Sequence, residues 1–119
     1  MGTVTLVWFS AMLRFVILVA DEGATDLSRS VVVFRAEDFS DAKQRALDLG
    51  RTMESTYQGG TGQEVRWRLE AVETLDLLGD AITDGREVYS EPMERPAGRT
   101  IPFDAEFDPS NTAPGQSGV

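Results

Sequence analysis

Apolar residues recur at alternate positions through the first part of the chain. Val7, Phe9, Ala11, Leu13, Phe15, Ile17 and Val19 fall on one face of an extended segment. Leu6, Trp8, Ser10, Met12, Arg14, Val16 and Leu18 fall on the other, and this face too is largely apolar. The run Val4 to Ala20 therefore predicts a long strand that is central or covered on both sides. A second copy of the protein is one candidate cover.

The polar group Asp21 to Asp26, with Gly23 inside it, predicts a turn, and Ser30 to Ala36 predicts the strand that returns as an antiparallel hairpin. Asp38 or Ser40 can cap a following helix, whose first turn holds the acid Asp41. Phe39, Ala42, Ala46, Leu49, Met53 and Tyr57 then recur at helical spacing, with Gly50 placed to allow close approach to a sheet. Gln58 to Gly62 ends the helix in a glycine-rich loop. From Glu64 to Leu77 the alternation returns: Val65, Trp67, Leu69, Ala71, Leu75 and Leu77 share one face, interrupted by Glu73. A turn over Gly79 to Gly85 and a short strand, Arg86 to Glu91, complete the order β-β-α-β-β. The expected fold class is α+β, one helix packed on an antiparallel sheet of about four strands.

Proline divides the chain. All five prolines lie after Glu91, and proline is largely excluded from central strands and helix interiors. Residues 1–91 are expected to form a single domain, and residues 92–119 a Pro/Gly-containing extended tail, disordered or folding back. Within the tail, Ile101, Phe103 and Phe107 stand among Asp104, Glu106 and Asp108. Such a segment can cover the domain's own apolar surface, or dock in a groove or on a sheet edge of a partner.

Charge and composition then narrow the chemistry. Eleven Lys+Arg against 20 Asp+Glu give a net charge of −9. The body carries −7 (9 against 16) and the tail −2 (2 against 4). An acidic chain is a poor match for a nucleic-acid backbone. The chain has no histidine and no cysteine, which removes imidazole and thiol chemistry, disulfides and zinc sites built on those residues. Asp76, Asp80 and Asp84, like Asp21, Glu22 and Asp26, lack the spacing of a calcium loop and read as solvated turn acids. Gly59, Gly60 and Gly62 precede a strand without the Lys-Ser or Lys-Thr of a phosphate loop. Lys43, the one lysine, belongs to a polar helix face. Arg66 and Arg68 point away from Trp67 in a strand, so no basic-aromatic surface forms, and cross-strand pairing with acids such as Glu87 is expected. No catalytic, cofactor-binding or metal-binding residue is assigned. The apolar N-terminal run has no basic residue before Arg14 and contains that arginine, which argues against a secretion signal or membrane anchor.

Trp8-Phe9-Ser10-Ala11, followed by Leu13 and Phe15, resembles the opening of a small bacterial family known as domain of unknown function 4288. The resemblance continues through Val33-Phe34-Arg35-Ala36-Glu37, the helix with Asp41-Ala42 and Ala46, Val65-Arg66-Trp67-Arg68 and Glu87-Val88-Tyr89-Ser90. It covers most of the body and none of the tail. It implies a small cytoplasmic α+β domain and no particular activity.

These readings point to a non-enzymatic, acidic protein-binding module of the accessory, inhibitor or immunity type. Its expected partner is a protein, a basic one or a second copy forming a homodimer, without membrane or nucleic-acid binding. The alternative is a small-molecule binder or minor enzyme with a pocket between helix and sheet or at a dimer interface. The candidate interaction surface is Leu6, Trp8, Met12 and Val16 on the second face of the first strand, with Ile101, Phe103 and Phe107 of the tail.

Overall fold

Four antiparallel strands and one helix form the domain in a computed structural model, which describes residues 3–95, 97–98 and 100–110. The elements are β1 (Val7–Val19), β2 (Gly23–Ala36), α1 (Phe39–Thr52), β3 (Ser55–Gln58) and β4 (Glu64–Gly79). The sheet order is β2-β1-β4-β3, so β1 is central and β2 is a long edge strand. The α+β class and the β-β-α-β-β order stand, although two of the strands differ from the sequence reading.

The first hairpin is tighter than expected. Asp21 takes a positive φ of 73°, Gly23 one of 76°, and the Glu22 N–H donates to the Val19 carbonyl at 3.0 Å. The turn is thereby confined to Ala20–Glu22, and β2 begins at Gly23 instead of Ser30. Its polar first half pairs with β1 from Leu18↔Ala24 through Leu13↔Ser30.

Asp38 caps α1 by accepting from the Asp41 N–H at 2.8 Å, and the Asp41 carboxylate accepts from the Glu37 N–H at 2.9 Å. The helix buries a narrow face of small residues, Ala42, Ala46 and Gly50. At Gly50 an added Cβ would lie 2.7 Å from Leu69 Cδ2, so the missing side chain sets how close helix and sheet can come. The helix ends at Thr52, not near Tyr57. Thr56 and Tyr57 are residues that favour strands, and the segment pairs with β4 as Ser55↔Trp67 through Gln58↔Glu64. The Trp67 indole N–H donates to the Tyr57 hydroxyl at 3.1 Å, and Arg68 donates to the Ser55 carbonyl and the Thr56 hydroxyl, both at 2.8 Å. Those bonds and the Arg66–Glu64 pair replace the expected partnership with Glu87.

Residues 86–91 form no strand. The Asp84-Gly85 turn is present, with Gly85 at φ 82° and the Arg86 N–H on the Thr83 carbonyl. The chain then crosses the second face of the sheet, and β3 supplies the fourth strand.

The core lies between α1 and the first face of the sheet: Phe9, Ala11, Leu13, Phe15, Phe34, Ala36, Ala42 and Ala46. Phe9 stacks with Phe34 at 6.2 Å between centroids and meets Phe39 edge-on at 5.1 Å. Val72, not Ala71, joins this core. The β1–β4 register shifts at Arg14/Phe15, at Met12/Leu13 and at Trp8/Phe9, leaving Glu70, Glu73 and Leu78 as extra residues in β4. Each bulge moves the alternation by one residue, which is why Glu73 interrupts the apolar pattern.

Candidate functional site

The second face of the sheet, away from α1, gathers most of the expected surface. Directly paired residues share a face, so register places Trp8 beside Arg35, Ser10 beside Val33, Met12 beside Val31, Arg14 beside Arg29 and Val16 beside Leu27. Over β1 this face is partly covered. Ser10 is fully buried and its hydroxyl donates to the Val88 carbonyl, so the segment after the Asp84-Gly85 turn lies over the centre of the sheet. Met12 is buried as well, and Trp8 and Val16 are half-buried. Thr74, opposite Met12, keeps a buried hydroxyl without a hydrogen-bond partner among the described residues.

The β4 bulges at Glu70 and Glu73 give this face its charged centre. Arg14 donates to Glu70 at 2.7 Å and to Glu73 at 3.0 Å, and Arg29 reaches the same Glu73 carboxylate at 3.1 Å. Burial pushes the Glu73 carboxyl up, but hydrogen bonds from Arg29 and Arg14, with their charges, outweigh it and hold the group below its ordinary value of 4.5. Hydrogen bonds to Glu70 and Glu73 raise the Arg14 guanidinium in turn. The Tyr89 hydroxyl donates to Glu91 at 2.8 Å, and that bond, with burial, raises its pKa. The cluster ties β1, β2 and β4 together.

A pH dependence follows from Glu73. Its folded pKa lies below the unfolded one, so its contribution to stability is complete above about pH 4.5 and fades as pH falls through the folded value. Chemical denaturation between pH 7 and pH 3 is expected to show a loss of stability below about pH 4.5 that is smaller in Glu73→Gln. An identical acid loss in the variant would remove Glu73 from that role.

Over β2 the second face is bare. Leu27, Val31 and Val33 are 61%, 39% and 44% exposed, with Arg29 exposed between Leu27 and Val31 and Arg35 exposed beyond Val33. At the end of this edge lies a groove of about 440 Å³ bounded by Leu6, Trp8, Val33, Phe34 and Arg35, with Asp41, Arg45 and Leu49 of α1. The Arg35 guanidinium stands 5.6 Å from the Trp8 ring centroid. The structure thus brings Leu6 and Trp8 together, leaves Val16 half-covered and withdraws Met12 into the interior. Ile101, Phe103 and Phe107 are exposed in the tail.

Leu27, Val31 and Val33 were not singled out by the sequence pattern. Alternation in the returning strand signals them, but only the strand order shows that they border an open edge. Among the described residues no three acidic, His or Cys side chains converge as a metal site, and no helix is long and apolar enough to cross a membrane.

No curated protein and no solved structure matches the chain. A family model described as a domain of unknown function, DUF4288, matches residues 8–90, from the central strand to the segment that crosses the second face, and the chain belongs to that family.

Proposed function

We propose that the protein is a non-enzymatic protein-binding module that associates through the edge of β2 and the exposed second face beside it, with a second copy as its first partner. One observation carries this reading: β2 presents Leu27, Val31 and Val33 outward along an edge strand of 14 residues. Natural sheets blunt such edges with proline, bulges or dense charge. From Leu27 to Ala36, β2 has no proline and pairs with β1 without a register shift, and its charges are Arg29 and Arg35. An unprotected apolar edge is a surface for pairing with another chain. Phe9, Phe34, Ala42 and Ala46 fill the core between α1 and the sheet, and the groove that remains beside the helix opens at this same β2 edge.

We also propose a cytoplasmic location, which the family resemblance implies. Away from the β2 edge, the acidic body favours encounter with basic proteins, an attraction that salt weakens.

Light scattering of the full chain tests the reading. The native protein is expected to self-associate as its concentration rises, and Val31→Lys with Val33→Lys is expected to remain monomeric with an unchanged circular dichroism spectrum. Equal association of the native and variant chains would contradict the β2 edge as the binding element.

A further inference from the structure

We propose that the occupant of the β2 edge is the segment Ile101–Asp108 of a second copy, added to the sheet as an extra strand. This rests on the protein-binding reading above and names what is bound.

Three observations converge. The sequence of the segment alternates with a period of two, so that in an extended conformation Ile101, Phe103, Ala105 and Phe107 take one side and Pro102, Asp104, Glu106 and Asp108 the other. In the single chain the Ala105 N–H closes a turn on the Pro102 carbonyl at 3.1 Å, and this turn opens on pairing. Its large apolar residues are uncovered, Ile101 at 41%, Phe107 at 72% and Phe103 fully exposed at 107%. The β2 edge provides the complementary surface, since Leu27, Val31 and Val33 extend the apolar second face to its border.

Charge selects this segment over a symmetric pairing of β2 with β2. From Leu27 to Ala36 the edge carries Arg29, already paired with Glu73, and Arg35, and no acid, so two such edges would offer each other no opposite charge. The tail segment carries three acids and no base. With its aromatic side chains laid on the second face, its acids turn toward the helix side, where Arg45 borders the groove and makes no ion pair among the described residues. Asp41, the acid of that groove, is held by the Glu37 N–H at the helix cap.

Proline fits the same register. In a strand, the N–H and carbonyl of one residue point to the same side, and this side alternates with the side chains. If Ile101, Phe103 and Ala105 face β2, then Pro102 faces outward, where its missing N–H costs no ladder bond. The added strand then presents a proline to solvent, which discourages a third chain from joining.

Sedimentation velocity on the full chain tests the proposal. Phe103→Asp with Phe107→Asp is expected to weaken self-association at least about tenfold, because both aromatic anchors are lost from the interface. Arg45→Glu is expected to weaken it also, and Asp104→Lys with Glu106→Lys, placed in that same chain, to restore it. All these positions are exposed, and unchanged thermal unfolding would confirm intact domains. If the tail variants associate like the native chain while Val31→Lys with Val33→Lys does not, the edge binds and the tail is not its occupant. If the native chain stays monomeric at every concentration, the second copy is excluded. In that case, faster β2 amide exchange in Phe103→Asp would identify the chain's own tail as the occupant.

Discussion

Phe9→Ala is expected to lower folding stability by about 3–5 kcal/mol. Phe9 is buried on the central strand, where register sets it between Phe34 of β2 and Leu77 of β4. Its ring stacks on Phe34 and meets Phe39 edge-on, so three aromatic side chains close this end of the core. The helix presents mostly alanine and glycine to the sheet and cannot expand into the vacated space, and the neighbouring strands are held by their ladders. Removal of the ring therefore combines lost burial with a cavity that cannot collapse. Small domains are stable by about 5–15 kcal/mol, so the variant is expected to lie close to unfolding. Urea denaturation measures the difference; a loss under about 1 kcal/mol would show that the site repacks.

Gly50→Val is expected to cost about 3 kcal/mol through the opposite defect, overpacking. A Cβ at position 50 would lie 2.7 and 2.8 Å from the two Leu69 methyl carbons and 3.2 Å from Leu69 Cγ. Leu69 packs against the buried core, so its methyls can move only by disturbing their neighbours or lifting the helix from β4. Gly50→Ala separates the terms. It gains up to about 1 kcal/mol of helix propensity but meets the same methyls, and is expected to destabilise by less than valine. Thermal unfolding of the two variants reads this order. A valine variant as stable as the native protein would mean that α1 and β4 are less closely seated than the structure has them.

Both effects concern features that were readable from the chain. The two faces of β1 follow from alternation alone, the Gly50 contact from its position against the helical repeat, and the cap only as far as Asp38 or Ser40, between which the Asp41 N–H selects Asp38. Elsewhere one local pattern served two structures. Met53 and Tyr57 continue the spacing of α1, yet Thr56 and Tyr57 find partners in β4, so strand pairing overrides the helical period. Ala71 belongs to an unbroken alternation that the bulges at Glu70 and Glu73 break. Glu73 itself was the visible irregularity, although its role with Arg14 and Arg29 required the third dimension. The sequence around Arg86 to Glu91 resembles an edge strand, while Val88 instead crosses the sheet to meet Ser10. Strand order is a property of the whole chain, and it was what turned Leu27, Val31 and Val33 from hairpin residues into an open edge.

Amide hydrogen exchange along β2 tests the binding role of that edge most directly. In an isolated domain the outward N–H groups of an edge strand meet water, whereas those directed at β1 are held in the ladder. The expected result is that alternate amides between Leu27 and Arg35 exchange more slowly as the concentration of the full chain rises, while the others hardly change. Outward amides that exchange rapidly and equally at every concentration would contradict a second copy on this edge.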